Sequence, residues 1–440
     1  MTLEHLSGLC ILGVVGLQAA LFSGLAILKL LGHPPSERGI GRAVRGVYGL
    51  AFGLALLASL AFVGSGRPRI VLPLGDWILT AEYDFHFVLQ LDSLSVPFLL
   101  LATTLCGVIS VFSVRYMHRE PGYTRYFLFL SLFGLGDALT VLAGSIEVLY
   151  CSWELIGLAS TLLISFYQER EGPARNSLYT FVVYRISDLA LLLAAVTVYN
   201  LFYNGDFSTF LGIGAWPHSK TNFSHAGATV VGLFFVVAAI GKAAQIPFSG
   251  WLPRAMEGPT PSTAIFYGAL SVHAGAYLML RVSPLLDAAP SLAFLVFAVG
   301  LSTALMATFV GRVQTDIKCS LAYAALAQVG LIFAEIGLGL RILPVIHTLG
   351  HALLRTVQFL RAPSLLHEIH ELDSALGGFP VHNPDSPTVS SWRLWLYQAA
   401  LQRCFLENLL ERWFVLPFQV FCRALQRLDE SILEWIAGKP

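Results

Sequence analysis

Charge is scarce in this chain. Only 12% of its 440 residues are Asp, Glu, Lys or Arg, about half the share usual in a soluble domain. With 56% hydrophobic residues beside it, that scarcity excludes an ordinary water-soluble globular protein. Neither sign dominates, with 27 Lys plus Arg against 27 Asp plus Glu, so no basic footprint for nucleic acid exists. The six cysteines (Cys10, Cys106, Cys151, Cys319, Cys404, Cys422) are scattered without a CxxC pair. That spacing argues against a disulfide framework, a zinc knuckle or an iron–sulfur cluster, and most read as apolar fillers. A Gly-rich nucleotide loop after a strand and an HExxH pair are also missing. No cofactor or metal of its own is therefore expected, and any redox or hydrolytic chemistry belongs to a partner. The N-terminus lacks the basic start and short apolar core of a signal peptide, so its first apolar run reads as a membrane helix.

What the chain has in quantity is long apolar runs. A membrane helix needs about 20 mostly apolar residues. That rule gives eleven spans, near 6–31, 46–64, 94–117, 124–143, 146–168, 177–202, 228–247, 262–282, 291–311, 316–339 and 342–366. The chain is expected to be an all-α polytopic membrane protein embedded in lipid. Basic residues cluster in the connections after odd-numbered spans: Arg38, Arg42 and Arg45, then Arg115, Arg119 and Arg125, then Arg170 and Arg175, Arg254, Arg312 and Lys318. The positive-inside rule puts these in the cytoplasm, with the N-terminus outside and the C-terminus inside a bacterial inner membrane. Arg67 and Arg69 break the pattern. They open a segment, about 67–92, rich in β-formers around Gly75-Asp76, which is expected to form a hairpin capping the outer face. A polar, Pro/Gly-rich linker at 371–390 precedes a C-terminal segment, 391–440, that mixes charge every three or four residues with Trp, Phe and Leu. That segment fits an amphipathic helix in the inner interface broken near Pro417, or equally a docking helix for a partner.

A charge at mid-membrane costs roughly 2.5–3.5 kcal/mol on insertion scales, so each one is a functional candidate. Glu154 lies in LYCSWELIGLASTLLISF and Lys242 in VVGLFFVVAAIGKAAQIPF, where Gly241 and Pro247 could break the helix. A carboxylate meeting a desolvated ammonium beside a helix break makes a switchable proton site, so these two are expected to pair. Arg185 and Asp188, three residues apart, either neutralise each other or serve this site. Asp137 stands alone in its helix and could partner Arg185 or Lys242. Tyr267 and His273 sit on the eighth span, where His273 could relay protons or be a hydrogen-bonded core residue. Lys318 either snorkels to the surface or faces inward. His347, His351 and Arg355 recur at intervals of four on one helical face; no acidic residue or Cys at ligand spacing joins them, so no metal is expected. A seam through Glu154, Lys242, His273, Lys318 and His351 would supply exchange sites for lateral proton hopping.

Five stretches carry a family likeness: LDSLSVPF around Asp92, SWELIGLASTLLISFY, GKAAQIPFSGWLPRAMEGPTPSTA, QTDIKCSLAYAALAQVGL and GHALLRTVQFL. Together, over about residues 90–365, they resemble the antiporter-like subunits of respiratory complex I, closest to its L subunit (mitochondrial subunit five), and the large Mrp antiporter subunits. The resemblance implies a bundle of inverted five-helix repeats with broken helices. N-terminal helices and the hairpin fill 1–120, the first repeat 121–290, and a truncated second repeat 291–370. It assigns Glu154 as the channel glutamate, Lys242 as the broken-helix lysine, and Lys318 and His351 to the central polar axis. Two departures stand out. Tyr267 replaces the family's histidine in the eighth span, and Arg355 replaces a lysine, although Arg holds its proton at physiological pH. The pattern also stops after the eleventh span, leaving no counterpart of the later spans, the exit lysine or the long lateral helix.

The resemblance therefore implies a proton-conducting membrane subunit that couples proton movement to a partner. A Dab-type inorganic-carbon uptake complex, with a large soluble zinc-containing partner, is the favoured setting. A proton-pumping subunit of a complex I-like NADH:quinone oxidoreductase, in which the chain would be one part of a translocase, is the alternative, followed by a cation/proton antiporter. A membrane scaffold that has lost conduction is a reading of a different class, favoured by Arg355 and the missing exit lysine and opposed by Glu154 and Lys242.

Overall fold

Among the described residues, ten helices are long and apolar enough to cross a membrane. The computed structural model describes residues 2–80, 84–362, 391–405 and 410–436. Helices α1 (Leu3–Leu30) and α2 (Glu37–Ser65) lead into strands β1 (Arg69–Leu79) and β2 (Asp84–Asp92). Then follow α3 (Ser95–Tyr116), α4 (Tyr123–Leu142), α5 (Ile146–Ile164), α6 (Glu171–Phe202) and the single turn α7 (Phe207–Phe210). Beyond them come α8 (His225–Lys242), the short α9 (Trp251–Arg254) and α10 (Thr260–Thr263), α11 (Ser271–Arg281), α12 (Ser283–Ala288), α13 (Pro290–Gly311), α14 (Ile317–Gly337) and α15 (Ile342–Arg361). In the C-terminal part, α16 spans Ser391–Leu401 and α17 Leu416–Ile436.

Several helices start where the sequence offers a cap. Ser36, Ser145, Ser224 and Asp316 each accept a hydrogen bond from a backbone N–H in the first turn, satisfying a donor that the helix cannot satisfy itself. The outward faces stay apolar, as Leu60 and Val63 on α2 and Phe294 and Leu305 on α13 show, each more than 60% exposed. Such faces are stable against lipid tails and would be costly in water. The eleventh expected span does form a helix, α15. It is not apolar enough to count among the ten, because His347, His351 and Arg355 occupy it.

The hairpin forms, though its turn is not at Gly75-Asp76. The strands pair from Arg69 with Asp92 to Leu79 with Asp84, placing the turn after Leu79. Gly75 instead serves an irregularity inside β1 between Pro73 and Asp76, where its φ of 113° suits a residue without a Cβ. The hairpin docks on the bundle: Gly144 N donates to Val88 O at 2.9 Å, Ser145 Oγ to His86 O at 3.0 Å, and Leu89 bridges to Ala143. Its strongest tie is Asp92. That buried carboxylate takes hydrogen bonds from Ser95 N (2.9 Å), Ser95 Oγ (2.8 Å) and Gln90 Nε2 (2.9 Å) and forms a two-pronged ion pair with Arg281 at the end of α11. Burial alone would raise the Asp92 carboxyl, but Arg281 and Ser95 outweigh it and hold it down at about 2.

The opposite end of the bundle collects the basic connections. Glu37 meets His118 (2.6 Å) and Arg119 N (3.1 Å), and Asn176 donates to Glu257 (3.2 Å). Glu411 from the C-terminal part binds Arg175 (2.9 Å) and Arg254 (3.3 Å) there. Burial pushes the Glu411 carboxyl up, but the two arginines prevail and lower it. The linker expected at 371–390 lies outside the described residues. The break expected near Pro417 takes the form of a π-helical turn, Glu411–Val415, directly before it in a continuous helical run, while Arg403, Cys404 and Phe405 upstream all take positive φ.

Candidate proton-transfer site

The middle of the bundle is built around an interrupted helix. α8 ends at Lys242, Ala244 takes a left-handed φ of 54°, and Pro247 has no N–H to continue the ladder. Backbone groups freed inside a membrane need partners, and here they have them. Trp251 Nε1 donates to Gly241 O (3.0 Å), Gln245 Nε2 to Ala243 O (3.0 Å), and Ile246 N to Thr303 Oγ1 (3.0 Å). The break is therefore a built feature that holds Lys242 at a fixed depth.

Lys242 is fully buried. Its ammonium donates to Trp153 O at 3.0 Å, lies 3.6 Å from Asp188 Oδ1, and sits over the Tyr184 ring (4.4 Å) and the Trp153 ring (5.2 Å). Such a position is tolerable only with a counter-charge and cation–π contacts replacing water. Asp188, also buried, lies 2.7 Å from Arg185, which in turn lies 2.5 Å from Glu154 Oε2. The four side chains form one neutral chain of alternating charge: Glu154, Arg185, Asp188, Lys242. The contacts to Asp188 are close charge contacts without aligned hydrogen bonds, and Glu154 Oε1 has no hydrogen-bond partner either. Two carboxylates thus keep unused acceptor capacity in the interior.

The direct Glu154–Lys242 pair expected from the sequence does not form. Arg185 and Asp188 stand between them, because both are on α6, one turn apart, facing α5 on one side and α8 on the other. The i, i+3 pair is real but is also the bridge. Gly157, one turn after Glu154, makes the arrangement fit: a Cβ there would lie 2.8 Å from Lys242 Nζ. Asp137, the other expected partner of Arg185 or Lys242, joins neither. It lines a small cavity with His273 and Tyr277.

A second polar group crosses from α11 to α15. His273 Nε2 and His351 Nδ1 are 2.9 Å apart, and Arg355 Nε donates to His351 Nε2 at 3.2 Å. Arg355 continues to Gln358 Oε1 at 2.8 Å. His347 turns to α14, with Glu335 at 2.8 Å and Gln328 at 3.0 Å. Glu335 was overlooked in the sequence, although a lone acid in GLIFAEIGL was the signal. Lys318 is not part of this group: its ammonium donates to Thr260 Oγ1 at 2.9 Å, which also takes the Tyr116 hydroxyl at 3.1 Å. Among the described residues, the seam expected through five residues is therefore two clusters plus Lys318. Tyr267 lies in the π-helical segment Ala264–Ala269 before α11, and its side chain is outside the described residues. Among those residues no group of three or more His, Cys, Asp or Glu could hold a metal.

Known proteins place the chain. Residues 143–395 match the family model described as "NADH:quinone oxidoreductase/Mrp antiporter, TM", which is more than half of the chain. The chain belongs to that family. Residues 77–127 match a second model, the N-terminus of complex I chain 5. NADH-ubiquinone oxidoreductase chain 5 of Schizophyllum commune is 34% identical over 307 residues, covering 69% of this chain and 44% of that protein. The probable inorganic carbon transporter subunit DabB1 of Halothiobacillus neapolitanus is 34% identical over 337 residues, covering 75% and 59%. The chain thus spans about half the length of the curated relatives it matches. Among solved structures, the Mrp complex from Dietzia sp. superposes with a TM-score of 0.68 at 26% identity, covering 88% of this chain and 39% of that one. An archaeal membrane-bound sulfane sulfur reductase shares the fold, with a TM-score of 0.65 at 21% identity over 84% and 72%. The protein is an integral membrane member of this antiporter-like family. Glu154, Lys242, His273, Lys318 and His351 all fall within the larger matched span.

Proposed function

We propose that the chain is a proton-conducting membrane subunit, with Glu154, Arg185, Asp188 and Lys242 as one exchange group and His273 and His351 as the next, and Lys318 as a station toward the end where the C-terminal part docks. The observation that carries this reading is Lys242: a fully buried ammonium at the tip of a helix broken inside the bundle, facing a carboxylate 3.6 Å away with no aligned hydrogen bond. A structural ion pair gains from aligned, saturated contacts. A pair left loose beside a helix break can exchange partners when one charge moves. Arg355 keeps its proton throughout, so in this reading it holds the charge balance beside His351 and is no relay.

The test uses the full-length protein reconstituted in liposomes, with proton flux followed by an internal pH-sensitive dye. Glu154→Gln and Lys242→Ala should each abolish flux while the purified proteins keep wild-type elution and helicity. Wild-type flux in both variants removes the exchange group from the path.

The setting we favour is an inorganic-carbon uptake complex, in which proton movement energises a large soluble zinc-containing partner at the cytoplasmic face, with the N-terminus outside. A complex I-like proton-pumping assembly is the second reading, since relatives of both kinds stand at 34% identity. The Glu411 contacts with Arg175 and Arg254 hold the C-terminal part against the basic end of the bundle, leaving Trp392, Trp395 and Trp413 more than half exposed. A pull-down of the full chain from native membranes distinguishes the settings: one large zinc protein supports the first, and a set of respiratory subunits replaces it with the second. Removing residues from Trp392 onward should lose the partner, and unchanged co-purification would dismiss the tail as its dock.

A further inference from the structure

Between α3, α4 and α11 lies a cavity of about 10 Å³, room for about one water. Its polar lining is short: Asp137 and Thr140 from α4, His273 and Tyr277 from α11. Asp137 is 4% exposed, and its Oδ2 has no hydrogen-bond partner. The two hydroxyls cannot supply one. Thr140 Oγ1 bonds to Gly136 O and Ser152 Oγ, both at 2.9 Å, and Tyr277 donates to Val141 O at 2.6 Å while accepting from Arg281 at 2.8 Å. Arg281 is itself locked to Asp92. On the hairpin side Tyr277 and Arg281 are thus engaged with one another, and on the other side the His273 ring leads to His351 at 2.9 Å. Asp137 also lies between the two stretches matched by family models, residues 77–127 and 143–395.

We propose that Asp137 is a proton station of the histidine pair, joined to His273 by a single water held in this cavity. A proton on the imidazole passes to the water as the water passes one to the Asp137 carboxylate, leaving a neutral imidazole and a carboxylic acid. The return step reverses both transfers, so no other reactant is needed. This gives the His273–His351 pair a branch toward α4, separate from the charge chain at Lys242. Its transport consequence rests on the proton-conducting reading above, whereas its protonation chemistry does not.

Infrared difference spectroscopy of the full-length protein in lipid, between acid and alkaline buffer, reads the chemistry directly. A carboxylic-acid carbonyl band should be present, absent in Asp137→Asn, retained at a new frequency in Asp137→Glu, and shifted in His273→Gln while unchanged in Lys242→Ala. No band that Asp137→Asn removes, or a band indifferent to His273→Gln, overturns the proposal, and Asp137→Glu guards against loss of fold as the cause. In the liposome assay Asp137→Asn should slow flux at least about tenfold. Wild-type flux in Asp137→Asn, with Lys242→Ala inactive, overturns the branch and leaves the conducting reading standing. A silent wild type with the band and its His273 dependence intact does the reverse.

Discussion

Replacing Asp188 by Asn should weaken the protein more than any other single change in the Lys242 cluster. In the native chain two carboxylates face two cations, and Asp188 touches both cations, at 2.7 Å from Arg185 and 3.6 Å from Lys242. Asn keeps the shape and removes the charge, leaving Arg185 and Lys242 against Glu154 alone. At an effective dielectric of about 20, a unit pair near 3.6 Å is worth about 4–5 kcal/mol of attraction, and breaking a buried pair on one side costs about 3–5 kcal/mol. Arg185 is 37% exposed on its side chain, so its share is screened and the loss comes mainly from Lys242. Glu154→Gln should cost less, because Glu154 pairs with one cation, Arg185, and is itself 24% exposed. Restoring neutrality tests the reasoning: Asp188→Asn with Lys242→Met should recover most of the loss, since residues sharing one charge network are non-additive. The assay is the apparent unfolding midpoint of purified full-length protein in lipid nanodiscs, at one scan rate for all variants. A double variant no more stable than Asp188→Asn would refute the claim that Asp188 is the counter-charge of Lys242.

Gly157→Ala places a Cβ 2.8 Å from Lys242 Nζ; it should cost about 1–3 kcal/mol and depress flux with the helix content unchanged, and full flux would show that the ammonium is free to move aside. Asp92 has a folded value of about 2 against about 3.9 unfolded, so its contribution of about 2–3 kcal/mol is present above pH 4 and is lost as pH falls from about 4 toward 2. Asp92→Asn should remove that acid-dependent step in an unfolding series, and a step that persists would assign it to another group. Glu411→Ala should free the C-terminal part from Arg175 and Arg254, raising trypsin cleavage after Arg412 and Arg423; because the pair is half-exposed and worth about 1 kcal/mol or less, global stability should stay within that range.

What the linear sequence determined is the class of solvent and the list of costly groups. Apolar runs about 20 residues long can only be helices in lipid, since each backbone group must be satisfied within its own segment. Glu154, Arg185, Asp188, Lys242, His273 and His351 could be picked out because a charge or imidazole in such a run is expensive enough to need a reason. The five motif stretches likewise sufficed for the family. Partner choice was another matter. Whether Lys242 meets Glu154 directly or through Arg185 and Asp188 depends on how α6 is rotated between α5 and α8, and packing sets that rotation while hydropathy does not. Asp137 faces a cavity with His273, and Lys318 faces Thr260, because residues far apart in the chain are brought together by helix contacts that carry no local signal. Where the hairpin turns was open for a related reason: a Gly-Asp pair suits a turn and a β-bulge alike, and only pairing with β2 decided between them. Composition priced each buried charge, and the tertiary structure decided which neighbour compensates it.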